Sequence, residues 1–197
     1  MGHAGFVGER DSERMSIGEF VVREFRLHAA ETADEAARIV ADFADGLEPA
    51  VPLLRNIDDH RDVAIVSGLR IGEQLDDREQ RTALGPLVAS WRPVKRYGPR
   101  ITESASSPPS SYRLAVTESG INDRDDERAF AASETTGADD GPRTHVGLMW
   151  VGTPIGSHAG LMVLLGSYDD ATDRPDPRDW PLALSRQLQV RIYETPR

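Results

Sequence analysis

Two near-continuous apolar runs, at 146–151 and 161–165, constrain the fold of this chain most strongly. They flank the glycine-rich segment GTPIGSHAG, and short apolar runs bounded by turn residues are typical of buried strands. The pattern therefore predicts a central β-hairpin, with the rest of a sheet built around it.

Alternating apolar residues predict further strands of this sheet. The predicted strands are 19–27, 62–71, 112–116 and a terminal strand at 188–193. In the first, Val21, Phe25 and Leu27 share one face, and Phe20 and Val22 share the other. In the second, Val63, Ile65, Leu69 and Ile71 are the expected core residues, and Gly68 marks a bulge. In the terminal strand, the face with Leu188, Val190 and Ile192 is expected to be buried.

A helix is predicted over residues 32–46. Thr32 and Glu35 match a capping box, and Ile39, Val40 and Phe43 follow at helical spacing. We expect these three apolar residues to pack against the sheet.

A second helix is predicted after Asp76 or Asp77, either of which can cap it. Gly85 and Pro86 should kink or divide this helix. Its buried stripe would contain Leu84, Leu87, Val88 and Trp91.

This order of elements predicts an α+β fold: a single domain with a largely antiparallel sheet and two helices packed on one face. Residues 1–17 are expected to form a flexible N-terminal segment, because they contain three glycines and no periodicity. The domain would occupy 18–197. Within it, 118–143 contains eight acidic residues and three arginines, which predicts a long acidic loop.

The net charge of −10 excludes broad contact with nucleic acid, which needs a basic surface. The chain has no cysteine, so it has neither a disulfide framework nor a thiolate site. No apolar run is long enough to cross a membrane, and no secretion signal is present. The sequence thus predicts a cytoplasmic protein, or a virion component if the source is viral, that binds no cofactor, nucleic acid or membrane.

Ser157 and His158 are the candidate catalytic residues, since Asp169 and Asp170 follow the next strand and would complete a serine, histidine and aspartate set. Neighbouring residues of an extended chain point in opposite directions, however, and no nucleophile-elbow motif is present. The same loop contains Gly152, Gly156 and Gly160, whose amides would suit an anion, yet no helix follows. We therefore interpret the loop as a hairpin connection.

Candidate metal ligands lie in two acidic segments. Asp169, Asp170 and Asp173, with Asp176, form the better hard-cation candidate, although a solvated acidic loop explains them as well. A calcium-loop frame fits Asp123, Asp125, Glu127 and Glu134, but its sixth position holds Arg128 where glycine is needed. His28, His60, His145 and His158 lack metal-ligand spacing, and Trp91, Trp150 and Trp180 are expected in the core or an interface.

Two functional hypotheses follow from these patterns. The first is a non-enzymatic binding or assembly protein that self-associates or binds a protein partner, such as a homo-oligomer or a virus- or phage-type structural component, because no catalytic motif is present. The alternative is a small enzyme acting on a small organic molecule. The element order of 18–117 resembles the ferredoxin-like α/β barrels, and this resemblance implies an apolar pocket with one or two polar side chains.

Overall fold

The computed structural model describes residues 17–43, 51–74, 76–104, 109–118, 146–155, 160, 162–167 and 189–196. Its strands are β1 (Ile17–Leu27), β2 (Leu54–Asn56), β3 (Asp62–Arg70), β4 (Val88–Trp91), β5 (Lys95–Ser104), β6 (Ser111–Glu118), β7 (Val146–Pro154), β8 (Met162–Ser167) and β9 (Gln189–Glu194). Its helices are α1 (Ala33–Asp42) and α2 (Arg78–Leu84), with 3-10 turns at Ala30–Thr32 and Gly85–Leu87. The predicted flexible segment and acidic loop lie outside these residues, apart from their ends at Ile17 and Glu118.

The strands form one antiparallel sheet that closes on itself. The order is β3, β2, β9, β6, β8, β7, β5, β1 and β4, and β1 also pairs with β3. Closure through β1 and β3 makes a barrel of eight strands, while β4 pairs with the last residues of β1 beside β5. The prediction of an α+β domain with a largely antiparallel sheet is confirmed.

The barrel is built from two halves with the same strand order. The first half runs β2, β3, β1, β5 across the sheet, and the second runs β7, β8, β6, β9. If the four strands of each half are numbered 1 to 4 along the chain, their order across the sheet is 2-3-1-4 in both halves. This is the arrangement of a ferredoxin-like sheet. Pairing of β2 with β9 and of β5 with β7 joins the halves. We refer to this relation as the internal repeat.

Closure gives the sheet two buried faces, because the barrel interior lies on one side and the helices cover the other. Phe20 and Val22 belong to the interior cluster, together with Tyr97, Leu114 and Met162. The alternate residues of β1 belong to the outer cluster: Phe25 and Leu27 pack there with Ala36 and Val40 of α1 and Leu84 of α2. The two-faced pattern predicted for β1 is confirmed, and both helices pack on the outer face.

Helix α1 is shorter than predicted and begins differently. A 3-10 turn precedes it, and the Thr32 hydroxyl donates a hydrogen bond to the Ala29 carbonyl at 2.8 Å, so the expected capping box is wrong. The helix ends at Asp42 and buries Ala33, Ala36 and Val40. Phe43 lies beyond its end with 38% of its surface exposed, so its predicted place in the core is also wrong.

The second helix ends where the sequence predicted a kink. After α2, a 3-10 turn at Gly85–Leu87 leads into strand β4, in which Val88 pairs with Leu27 and Trp91 with Phe25. The helical stripe predicted through Val88 and Trp91 is therefore wrong. Pro86 removes a backbone donor, which interrupts the helix, and the β-branched Val88 suits an extended chain.

The other predicted strands are present, with two corrections, whereas β2 and β5 were not predicted. The central hairpin is confirmed as β7 paired with β8. Ile71 lies just beyond β3 and is 76% exposed, so it is not a core residue. In β9 the buried, interior side chains include Tyr193, whose partner in the ladder is the interior Leu114. The face that carries Tyr193 is therefore buried in the barrel interior, whereas only the opposite, apolar face of this strand was expected to be buried.

Candidate functional site

A buried carboxylate, Glu24, is the centre of the most polar cluster described inside the barrel. It is 1% exposed and follows Phe20 and Val22 on the interior row of β1. The guanidinium of Arg191 donates to it through Nε at 2.6 Å and Nη2 at 3.0 Å. The Tyr193 hydroxyl donates to its Oε1 at 2.5 Å, and the Lys95 ammonium lies 3.2 Å from its Oε2. We call these four residues the Glu24 centre.

Strand register explains why these residues meet. On β5, Lys95 lies opposite Val22 and Tyr97 lies opposite Phe20, so both belong to the interior row. On β9, Arg191 and Tyr193 lie two residues apart and therefore share a face. Barrel closure brings these strands together, although Glu24 and Tyr193 are 169 positions apart in the chain.

The Glu24 carboxylate is held in its charged form. Burial by itself would raise the pKa of Glu24, but the hydrogen bonds from Arg191 and Tyr193 and the charge of Lys95 outweigh burial, so the pKa lies below its usual value. Burial and the adjacent carboxylate both raise the pKa of Tyr193. At neutral pH the centre therefore contains an ionised Glu24 and a neutral Tyr193. Glu24 is suited to orient donors and is poorly suited to exchange a proton near neutrality.

A second charged cluster lies next to the Glu24 centre along the same strands. Arg26 contacts Asp62 at 2.8 Å and Asp59 at 2.6 Å, and Arg92 contacts Asp62 at 3.1 Å. Hydrogen bonds from the backbone and side chain of Arg61, with the bond from Arg26, lower the pKa of Asp59 to about 2. The cluster is partly exposed, with Arg26 at 33%, so we assign it to the rim of the barrel and not to its interior.

A further polar group lies on the outer face, beneath α2. Arg23 is 6% exposed and donates to Ser67 Oγ at 2.8 Å and to Gln80 Oε1. Burial lowers the pKa of Arg23, although the charge of Asp77 opposes the effect. These contacts attach α2 to β1 and β3, on the side of the sheet opposite the Glu24 centre.

The predicted catalytic residues Ser157 and His158 lie outside the described residues, as do the metal candidates Asp169, Asp170 and Asp173. The calcium-loop frame, with Asp176, His145 and Trp180, also lies outside them, and the side chain of Trp150 is not described. His28 and His60 are described, exposed and on separate elements, and Trp91 packs against Phe25 with ring centroids 4.8 Å apart. Across the described ranges, no group of three or more histidine, aspartate or glutamate side chains is placed to hold a metal ion.

Two glycines of the predicted hairpin connection, Gly152 and Gly160, are closely packed against their neighbours. A Cβ on Gly152 would lie 2.7 Å from the Cβ of Tyr97 and 3.0 Å from Cδ2 of Phe20. Gly160 has a φ of +110°, and a Cβ there would overlap the Thr117 carbonyl. Both positions therefore require glycine. Gly156 lies outside the described residues.

Sequence reasoning missed all four residues of the Glu24 centre. A signal was present, since Glu24 is a charged residue on the interior-facing row of an apolar strand, and Lys95 is the single lysine among 23 basic residues. Charged residues are almost never fully buried unless they are paired, which makes a charge in such a row a candidate for an interior site. Nothing in the sequence showed that β1, β5 and β9 would meet.

Several solved structures share this fold. A candidate monooxygenase from Lactobacillus acidophilus NCFM superposes with a TM-score of 0.60 at 14% identity, over 90% of this chain and 93% of that one. A candidate monooxygenase from Fusobacterium nucleatum superposes with a TM-score of 0.59 at 10% identity, over 91% of both chains. An anthrone oxidase-like protein superposes with a TM-score of 0.53 at 10% identity, over 92% of both chains. No family model and no curated protein matches the chain.

These neighbours correct the first functional hypothesis. They bear the names of enzymes, and another of them is a candidate chlorite dismutase at a TM-score of 0.54. The expectation of a non-enzymatic binding or assembly protein, such as a structural component of a particle, is therefore wrong, and the enzyme alternative fits better. No helix in the described ranges is long and apolar enough to span a membrane.

Proposed function

We propose that this protein is a small enzyme that binds a small organic molecule inside the barrel and oxidises it in a reaction of the monooxygenase type. The observation that carries the proposal is the Glu24 centre, a carboxylate held among three donors in the interior of a barrel. The neighbours' names support the reaction class.

The Glu24 centre favours a substrate with an acidic hydroxyl or an enolisable carbonyl. Lysine and arginine side chains are N–H donors with a positive charge, and fixed donors of this kind in a water-poor site stabilise a developing oxyanion strongly. Lys95 and Arg191 would thus bind the substrate oxygen as it becomes negative. Glu24 would orient both cations, because its low pKa keeps it ionised throughout.

A substrate oxyanion of this kind is electron-rich and is readily oxidised. In the proposed reaction, one atom of O2 enters the substrate as a carbonyl oxygen and the other leaves as water. The two hydrogens of that water and all four electrons that reduce O2 come from the substrate, as when a phenol is converted to a quinone. The role assigned to this chain's residues is limited to binding the substrate, stabilising its anion and excluding water. The apolar interior residues Phe20, Leu114 and Met162 would contact the carbon skeleton of the substrate.

Oxygen uptake tests the proposal. The full-length protein is mixed with a panel of phenols, hydroxyquinones and β-dicarbonyl compounds, and dissolved O2 is recorded. We expect uptake with at least one class, and loss of that uptake in Glu24→Gln and Arg191→Gln.

Glu19→Gln is the matched control for this assay. Glu19 also lies on β1 and pairs with a β5 cation, Arg96, at 2.6 Å, but this pair is exposed. Its substitution should leave oxygen uptake unchanged. Equal uptake by the parent protein and Glu24→Gln would contradict the proposal, as would the absence of uptake across the panel.

A further inference from the structure

The two cations of the Glu24 centre lie at the same level of the barrel. Lys95 is opposite Val22 of β1, and Arg191 is opposite Val116 of β6, so the internal repeat gives the two cations equivalent positions. Four antiparallel pairings separate β1 from β6 across the sheet, so these two strands run in the same direction. Both cations therefore lie towards the same end of the barrel.

A partly exposed layer of charged residues follows the Glu24 centre at this end. Arg26 comes two residues after Glu24 on β1 and is opposite Asp62 of β3, whose row continues into the interior residue Ala64. We call the residues of this layer the rim cluster: Arg26, Asp59, Arg61, Asp62 and Arg92. Glu24 is buried, whereas the side chain of Arg92 is 41% exposed, so solvent reaches the interior row at the rim cluster.

Arg92 is the member of the rim cluster with donors to spare beside the interior row. Arg26 contacts both Asp59 and Asp62, and Asp59 also accepts from Arg61. Arg92 contacts Asp62 through Nη2 at 3.1 Å, and its Nε and Nη1 have no acceptor among the residues that the structure describes. Arg92 can therefore bind a further anion without losing its contact with Asp62.

The backbone fixes Arg92 next to the Glu24 centre. Its amide donates a hydrogen bond to the Glu24 carbonyl at 2.9 Å, and Lys95 follows three residues later. Burial is the main cause of the raised pKa of Tyr193, and the charge of Arg92 opposes this rise, which indicates that the Arg92 guanidinium lies near the Tyr193 hydroxyl. A molecule bound at the Glu24 centre would therefore extend towards Arg92.

Strand geometry gives the length of such a molecule. Side chains that follow one another on the same face of a strand are two residues, or about 7 Å, apart. This is the step from Glu24 to the level of Arg26 and Asp62, which Arg92 contacts. A benzene ring with a hydroxyl and a carboxylate at opposite positions has about this span.

We propose that Arg92 is a specificity-determining residue: it binds a carboxylate of the substrate while Lys95 and Arg191 bind the reacting oxygen. A guanidinium forms paired, charge-assisted hydrogen bonds with a carboxylate, which fix the orientation of the bound molecule. The preferred substrates are then phenolic carboxylic acids whose two oxygen groups lie at opposite ends of a ring. This inference deepens the proposed function and rests on it for the identity of the reacting oxygen.

Calorimetric titration of the full chain under nitrogen at neutral pH tests the proposal with para-hydroxybenzoate and its methyl ester. The ester keeps the hydroxyl and removes the negative charge. We expect the parent protein to bind the acid more tightly than the ester. Because a hydrogen bond to a charged group contributes about 1.5–3 kcal/mol, Arg92→Gln should weaken binding of the acid about 10-fold to 100-fold. Binding of the ester should stay nearly unchanged.

Arg61→Gln is the matched control for the loss of one positive charge at the rim. Arg61 contacts Asp59 at 3.4 Å and makes no described contact with Asp62, so its substitution should leave the preference for the acid intact. A parent protein that binds the ester as tightly as the acid, or binds neither, would overturn the proposal. Equal losses of acid and ester binding in Arg92→Gln, or the same loss of acid binding in Arg61→Gln, would also overturn it.

If Arg92→Gln does not fold, nitrogen-15 NMR of the arginine side chains tests the contact in the parent protein. The Nε signal of Arg92 should shift when para-hydroxybenzoate binds and should stay in place when the methyl ester binds. An Arg92 signal that does not respond to saturating acid would overturn the proposal.

Oxygen uptake separates this inference from the proposed function. If Arg92 determines the preference for the acid but the parent protein oxidises no compound of the panel, the carboxylate site stands and the proposed function fails. If the protein oxidises neutral phenols and Arg92→Gln binds acid and ester as the parent does, the proposed function stands and the role of Arg92 is rejected.

Discussion

Glu24→Gln should destabilise the fold strongly, because it removes the charge that Arg191 and Lys95 share in the barrel interior while keeping the shape of the side chain. Glu24 is 1% exposed, so solvent screens these interactions little. Removing one member of a buried ion pair costs about 3–5 kcal/mol. With a urea dependence of about 2.5–3 kcal/mol/M for a domain of this size, the unfolding midpoint should fall by about 1–2 M.

The pH dependence of this loss follows from the lowered pKa of Glu24. A carboxyl whose pKa is lower in the folded state stabilises the fold above its unfolded pKa, about 4.3, and this contribution is lost as the pH falls through the folded value. The difference in the free energy of unfolding between the parent protein and Glu24→Gln should therefore be largest at pH 7 and decrease below about pH 4.

Urea unfolding followed by circular dichroism at pH 7, 5, 4 and 3 measures both effects. Glu19→Gln, which breaks an exposed pair on the same two strands, should cost at most about 1 kcal/mol at pH 7. Equal midpoints for the Glu24 and Glu19 variants at pH 7 would refute the account of the interior charge cluster.

Three other substitutions test separate parts of the structure. Gly152→Ala should cost about 1–3 kcal/mol in urea unfolding, because its Cβ would lie 2.7 Å from the Cβ of Tyr97; an unchanged midpoint would contradict the interior packing. Phe43→Ala should lower the free energy of unfolding by less than about 1 kcal/mol, because Phe43 is exposed beyond the end of α1. A loss of about 3 kcal/mol or more would show that Phe43 is a core residue. Tyr193→Phe should raise the pKa of Glu24, measured by carbon-13 NMR, because it removes one of the hydrogen bonds that lower it.

Local sequence patterns were sufficient to predict the strands whose apolar residues alternate or run together. Strand β1, strand β3 and the hairpin of β7 and β8 were expected close to their observed positions. The predicted helices are present, but their predicted ends are wrong. Val88 and Trp91 have helical spacing, yet Pro86 ends the helix before them and both residues pair with β1 as part of β4.

Barrel closure was not predictable from local patterns, because it depends on pairings between distant parts of the chain. β1 pairs with β3 and β5, and β2 pairs with β9, so no single stretch of sequence contains the information. For the same reason the Glu24 centre was missed. In an ordinary open sheet, the row with Arg191 and Tyr193 would be the solvent face of a terminal strand, whereas in the closed barrel it is interior.

The most direct test of the central claim is to find where a small molecule binds. The compound that gives the greatest oxygen uptake is titrated into isotopically labelled protein under nitrogen, and backbone amide shifts are followed by NMR. We expect the largest changes around Glu24, Lys95 and Arg191, and their disappearance in Glu24→Gln. Changes concentrated around Arg23 and Gln80 on the outer face, with none at the Glu24 centre, would contradict this expectation.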